Sequence, residues 1–548
     1  MTDILDSRGM TTREALGAAA DRWPDAPLFI SPPEEGRPWD PEGREVTYDR
    51  MRAEADRLAA ALHIAGYGPG HRIALDLENR AEHMIWKFAA NSIGVSVVPV
   101  NPELRAAELA YILSDSAPRL AVVAPNRARA FAEANFEQRK TSRRHIQTLR
   151  LDEIDPGAPI PGPGVAAASR AVSPAEEASL IYTSGTTGKP KGCMLSQGYE
   201  LEIGRWYAVT EGILDFQPGD RLYNPLPLFH VNAMLLSFFG MMHMGGAQVQ
   251  PARFSRAAWW KDIRACKATV AHYLGVVIPV LMAGEPDADE RDHGLRVMMG
   301  AGVEPSLHGP AQERFGVPLV EGWGMTEMCR ALTADSEPRM IDTRAIGRPR
   351  PGLEVQVWDE ENREVPRGTP GEMVLRSPGE NPRAGFFSGY LNREAETEEA
   401  WSGGWFHTGD TVMMDETDMV FFVDRKKNII RRSGENIAAA EVEACLLEHP
   451  AVATVAVLAV EDPIRDEEVM ACVTVKGGAA RDAALAEALF AHVFARLAYY
   501  KAPGWLRFFD DLPVTGTQKI QKHALFAEGE SPTDGAFDFR DRKKRGAA

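Results

Sequence analysis

Residues 182–192 read Tyr182-Thr183-Ser184-Gly185-Thr186-Thr187-Gly188-Lys189-Pro190-Lys191-Gly192, directly after the apolar run Ala178-Ser179-Leu180-Ile181. The run reads as a strand and the rest as the loop that leaves it. Glycines let a backbone turn tightly enough for its N–H groups to point inward at an anion. The hydroxyls of Thr183, Ser184, Thr186 and Thr187 add neutral donors, and Lys189 and Lys191 add charge. Such a set suits a polyphosphate. It is not a Walker A loop, which needs GxxxxGK[ST]: Gly185 and Gly188 stand three apart and Pro190 follows the lysine. A plain Gly/Thr surface loop accounts for the composition but not for the order.

Outward from this loop, apolar β-like runs alternate with helical stretches over the first 340 residues or so. RIALDLEN (72–79), VSVVPVNP (95–102) and RLAVVAPN (119–126) are such runs, and DRLAAALHIAG (56–66) is a helical one. Alternation of this kind predicts parallel sheets covered by helices, an α/β fold. The Pro/Gly/Ala-rich stretch 155–174 reads as a linker or surface loop. From about Gly352 the pattern changes to short strands (LEVQVWD, GEMVLRS, MVFFVDR), which predicts a small β-barrel or β-subdomain. After Asp424-Arg425-Lys426-Lys427 a compact α+β unit begins, with a helix, two strands and a second long helix. The expected division is an N-terminal core over 1–426, with α/β subdomains at 1–175 and 176–340 and a β subdomain at 341–424, then a C-terminal domain over 427–548.

A chain of 548 residues is too long for one ordinary core. Its 61 basic against 78 acidic residues give a net charge of −17. Such a surface repels nucleic acid and anionic lipid in general, so neither is an expected partner. Five scattered cysteines without a CxxC pair argue for reduced thiols and against a zinc site. The N-terminus lacks a basic start followed by an apolar stretch, and the apolar stretch 229–247 carries His230, Asn232, Ser237 and His243. We therefore expect a cytoplasmic protein with no membrane span, 229–247 forming a buried helix.

The loop resembles the signature of the adenylate-forming superfamily: acyl-CoA synthetases, luciferases and peptide-synthetase adenylation domains. Further motifs follow in order. Gly322-Trp323-Gly324-Met325-Thr326-Glu327 is similar to the aromatic-Gly-x-Thr-Glu motif, and Ile346-Gly347-Arg348-Pro349 follows it. Gly404 to Asp410 resembles the Thr-Gly-Asp motif. Asp424 to Asn428, with Ser433-Gly434-Glu435-Asn436-Ile437, resembles the domain junction, and Leu512-Pro513 to Lys522 the C-terminal lysine motif. Six ordered motifs spanning roughly 20–527 are far more specific than any one alone.

The resemblance implies layered αβαβα sheets in the large domain and a small domain that moves. It implies ATP, Mg²⁺ and CoA as cofactor and co-substrates, with a small carboxylic acid as substrate. Thr326 would bond the α-phosphate, Glu327 would ligate Mg²⁺ and Trp323 would stack on adenine beside Gly322 and Gly324. Gly300 to Pro305, with Gly302 and Glu304, resembles the adenine-flanking loop. Asp410, assisted by Arg425, would hold the ribose diol. Lys519 would bridge the carboxylate and the α-phosphate in the first half-reaction, Lys522 being the alternative lysine. Lys427 falls at the hinge, and Gly434 would face the pantetheine passage in the second pose. His230 stands where amino-acid-activating relatives carry an Asp, which disfavours amino acids as substrates; no Ser-bearing carrier domain is read after the last motif, so CoA is the expected acceptor. The junction segment is reminiscent of crotonobetaine/carnitine-CoA ligases, and the apolar acyl segment also fits fatty acids. A carrier protein as acceptor is the alternative. The oligomeric state is left open, a homodimer included.

Overall fold

The computed structural model describes residues 4–154, 159–183, 189–275, 277–425, 429–477, 480–513, 520, 522, 525–527 and 529–544. The side chains of Asp424, Arg425 and Ala440 lie outside that description.

Two mixed sheets dominate the large domain. A seven-stranded sheet runs in the order Gly389–Tyr390, Lys191–Ser196, Glu177–Thr183, Ser96–Pro99, Arg72–Asp76, Leu120–Val123, Gln147–Arg150. The last five of these are mutually parallel. Ser96–Pro99 and Leu120–Val123 are buried at every residue, as expected for parallel strands covered on both faces. An eight-stranded sheet contains Leu332–Thr333, Leu319–Trp323, Val297–Gly300, Val270–His272, Arg221–Tyr223, Ala247–Val249, Pro27–Ser31 and Arg44–Thr47. Helices Ala81–Ser92 and Gln197–Ala208 are buried along nearly their whole length. Lys87 on one and Glu200 on the other pair at 2.6 Å with no solvent exposure, and Asn91 and Ser179 take further hydrogen bonds from the ammonium. A buried charge pair is tolerated only when satisfied in this way.

The sheets do not follow the linear division at residue 175. Pro27–Ser31 pairs in parallel with Ala247–Val249 and so joins the eight-stranded sheet. Glu177–Thr183 pairs with Ser96–Pro99 and joins the seven-stranded one. Alternation along the chain predicts parallel strands but carries no information on which sheet an edge strand extends.

The β subdomain is a five-stranded antiparallel sheet in the order Ala345–Gly347, Val420–Arg425, Phe406–Met414, Gly371–Arg376, Glu354–Trp358. The small domain has its own apolar core, built from helices Ala439–Leu447 and Ala483–Arg496 against strands Val452–Asp462 and Asp466–Val475. The expected boundary near residue 427 lies outside the described residues. Of the 229–247 stretch only the middle is helical, π-helical over Asn232–Ser237 and α-helical over Phe238–His243; it is buried from Ala233 to Met244, whereas Phe229 to Asn232 are half-buried and Ala247 begins a strand. Polar side chains account for the wider turn: Asn224 donates to both Asn232 Oδ1 and Ser237 Oγ, and Ser237 donates to Gln248. No helix among the described residues is long and apolar enough to cross a membrane.

Candidate active site

A cavity of about 1510 Å³ lies between the large domain, the β subdomain and the small domain. Thr183, Lys191, His230, Gly324, Thr326, Glu327, Asp410 and Gly434 all line it. Most sit at the ends of regular elements. Thr183 and Lys191 face each other as the last ladder pair of two antiparallel strands. Lys191 forms an ion pair with Glu396 and lies 5.0 Å from the Tyr390 ring centroid. Lys189 lies over Tyr111, 5.3 Å from its centroid.

The strand Leu319–Trp323 is buried throughout and delivers the turn Gly324 to Glu327 to the cavity wall. Trp323 itself is packed in the large-domain core, and its indole N–H donates to Asp410 Oδ2 at 2.8 Å. Asp410 lies on Phe406–Met414 opposite the backbone of Arg425. Glu327 accepts a hydrogen bond from the Tyr390 hydroxyl at 2.8 Å. Burial, reinforced by Glu327, pushes the Tyr390 phenol far above its ordinary value, so it stays a donor. Cys193 lies 3.9 Å from the Thr183 hydroxyl, but burial and Glu327 keep its thiol protonated. The donor set on this wall is therefore oxygen: the Glu327 carboxylate with the Thr183 and Thr326 hydroxyls. That chemistry fits a hard divalent cation that takes its other ligands from phosphate and water. No preassembled cluster of three acidic, His or Cys side chains occurs among the described residues.

Gly302 adopts a φ of 84°, a conformation glycine tolerates without strain, and its N–H donates to Glu321 Oε2 at 2.7 Å. Glu321 also accepts from the Tyr273 hydroxyl at 2.7 Å. One buried carboxylate thus ties the adenine-loop candidate to the Tyr273 wall. Burial raises this carboxyl to about 7, against the hydrogen bonds it accepts from Tyr273 and from the Gly302 and Val303 N–H groups. Glu304 is exposed and pairs with Arg344 at 3.3 Å.

Ser184, Gly185, Thr186, Thr187, Gly188, Lys427 and Lys519 lie outside the described residues, as does the Arg425 side chain. Lys522 is described and is turned to its own domain, bonded to Glu443 and the Val457 carbonyl, each at 2.7 Å.

A model of AMP-binding enzymes matches residues 16–391, and one of the AMP-binding enzyme C-terminal domain matches residues 441–519. The chain belongs to the AMP-binding enzyme family. Among curated relatives, a sulfoacetate–CoA ligase of Cupriavidus necator is 30% identical over 526 residues, 94% of this chain and 97% of that protein. A crotonobetaine/carnitine–CoA ligase of Salmonella arizonae is 29% identical over 502 residues, 88% of this chain and 93% of that protein. Among solved structures, the o-succinylbenzoate CoA synthetase of Bacillus subtilis, bound with a product analogue, aligns with a TM-score of 0.78 at 25% identity. It covers 93% of this chain and 98% of that one. An amide bond synthetase of Marinactinospora thermotolerans also reaches 0.78, at 27% identity, covering 94% and 98%. These matches agree with the superfamily and the acyl-CoA synthetase branch expected from the motifs.

In this AMP-binding enzyme the small domain supplies the remaining wall of the cavity. A hairpin joins Ile429–Arg432 to Glu435–Ala438 through Ser433 and Gly434, at φ 52° and 87°. Two positive φ values in a two-residue turn favour glycine in one place at least. A Cβ on Gly434 would collide with Leu274 of the large domain. Glu435 Oε2 lies 3.8 Å from His230 Nε2, which has no hydrogen-bond partner among the described residues. At the cavity's edge, the Lys501 ammonium bonds Glu108 at 2.6 Å across the seam and Glu441 at 2.9 Å within its own domain. Burial opposes this charge, but the two carboxylates outweigh it and hold the ammonium above its usual range. Tyr390, Glu321, Lys501 and Glu435 are parts of the site that the sequence reading missed. Glu435 directly follows Gly434 in a quoted motif and could have been read from it. The others are partners from distant segments, with no local signal.

Proposed function

We propose that this enzyme is an ATP-dependent acyl-CoA synthetase acting on a small carboxylic acid. A carboxylate oxygen attacks the α-phosphorus of ATP, the α–β phosphoanhydride breaks, and acyl-AMP and pyrophosphate result. The CoA thiolate then attacks the acyl carbon, AMP leaves, and the thioester forms. The observation that carries this reading is that Thr326, Glu327 and Asp410 line the same cavity as the hairpin Ser433–Gly434. A site for nucleotide chemistry and a movable wall against the acyl segment are what a two-step ligase needs.

On this reading Thr183, Lys191 and the intervening loop cradle the phosphates, and Asp410, held by Trp323, takes the ribose hydroxyls through two acceptor oxygens. A bound Mg²⁺ would neutralise charge on the phosphates, and Glu327 is the residue that would hold it. Lys519 stabilises the charge that builds between carboxylate and α-phosphate. Gly434 leaves room beside Leu274 for the pantetheine arm. His230 and Glu435 border the acyl carbon, where the thiol arrives.

The test is acid-dependent ATP–pyrophosphate exchange over acetate, malonate, hexanoate, benzoate, crotonobetaine and sulfoacetate. Active acids are then tried with CoA, a holo-carrier protein and an amine as acceptors. Exchange with one acid and thioester formation on CoA support the reading. No exchange, or transfer only to the carrier or the amine, overturns it.

A further inference from the structure

The chain continues past the stretch matched by the C-terminal family model, and this continuation returns to the small domain. Phe537–Asp538 adds an antiparallel strand to Trp505–Phe508. Phe539 is buried and stacks on Phe490 with centroids 4.8 Å apart. Arg540 lies over Trp505 and bonds Asp462 at 3.2 Å. Further along the same segment, the Lys543 side chain is fully buried and its ammonium pairs with Glu468, which is itself fully buried. The other oxygen of Glu468 accepts from Arg432 Nε at 2.8 Å. Gly504 makes room for this carboxylate, since a Cβ there would collide with the Glu468 side chain.

Arg432 is the last residue of the strand that leads into Ser433 and Gly434, and it lines the cavity. One buried carboxylate therefore links the tail to the hairpin tip that meets Leu274 and His230. Buried ion pairs add little net stability over apolar packing, whereas removing one partner leaves an uncompensated charge.

We propose that the tail segment 537–544 positions the Ser433–Gly434 hairpin for the thioester step, through the buried bridge Lys543–Glu468–Arg432. This rests on the two-step ligase reading above. Lys543 acts through Glu468 and Arg432 and is a positioning residue.

The test uses the full chain with Lys543→Met and, separately, Glu468→Gln, and the acid that gives the strongest exchange in the panel. Pyrophosphate exchange is measured first; single-turnover transfer from the enzyme-bound adenylate to CoA is measured second. The expected result for each variant is exchange within about twofold of the parent and transfer slowed about tenfold, the scale of a small misplacement of a reacting group. Exchange doubles as a check on folding, because Lys519 belongs to the same domain. Transfer unchanged in both variants overturns the proposal. Equal loss of both steps in both variants also overturns it, since the tail would then serve only to hold the domain together. If Lys543→Met alone fails to fold, Glu468→Gln decides between these outcomes. A panel with no exchange in the parent breaks the ligase reading, and this proposal with it.

Discussion

The two walls of the cavity are built differently. On the large-domain side, Trp323 holds Asp410 and Tyr390 holds Glu327 through hydrogen bonds among buried groups of one continuous core. On the small-domain side, a hairpin tip abuts Leu274 and His230, and the seam is tied by the Lys501–Glu108 pair and by Asn101 donating to the Tyr500 hydroxyl at 3.1 Å. The first wall cannot shift without disturbing a core. The second meets the large domain through a hairpin tip and a few polar pairs. A fixed wall suits the nucleotide, and a separable one suits a step that must be shielded and then opened.

Substitutions can break this contrast. The largest effect is expected at Glu327 on the fixed wall. Glu327→Ala should lower acid-dependent pyrophosphate exchange by about 10²–10³-fold, the range for removing one electrostatic partner of a transition state. Wild-type exchange in that variant would remove Glu327 from the nucleotide chemistry.

Glu321 comes next and reads out on stability. Its folded value of about 7 lies above the 4.5 of a free carboxyl. A raised value means that the folded state holds the proton more tightly. The associated stability is fully present below pH 4.5 and is lost as the pH rises through about 7. Urea unfolding should therefore show a decline of up to roughly 3 kcal/mol from this group over that window. Glu321→Gln should flatten that part of the profile. An unchanged slope in the variant would assign the titration elsewhere.

The movable wall should respond in one step only. Gly434→Ala places a side chain at a positive φ and against Leu274. Transfer to CoA should slow by about tenfold while exchange is spared, a strain of roughly 1–2 kcal/mol. Equal loss of both steps would mean that the hairpin serves adenylation as well. The smallest effect is expected at the seam. Glu108→Gln removes the cross-domain arm of Lys501 and leaves Glu441 in place, so transfer to CoA should change by about threefold, equivalent to roughly 0.6 kcal/mol. A tenfold or larger loss would make the seam as firm as the fixed wall.

Much of this site was legible in the sequence because its parts are local words. The strand-loop lead to Thr183 declares its geometry through adjacent residues, while the segments after Trp323 and around Ser433-Gly434 were placed by their resemblance to ordered family motifs. The α/β alternation likewise announced buried parallel strands such as Leu120–Val123. What was not legible is the pairing of distant words. Nothing near Glu327 points to Tyr390, 63 residues away. Nothing near Lys501 points to Glu108, 393 residues away. Sheet membership failed for the same reason: Pro27–Ser31 meets its parallel partner more than two hundred residues later. The π-helical turn at Asn232–Ser237 depends on Asn224 and Gln248, which periodicity alone does not register.

The most direct measurement gives the purified enzyme ATP, Mg²⁺, CoA and the panel acid that supports exchange, and resolves every product by mass. The account predicts acyl-CoA, AMP and pyrophosphate in equal amounts, with acyl-AMP accumulating when CoA is left out. ADP with inorganic phosphate, or a thioester formed with no trapped adenylate, would contradict it.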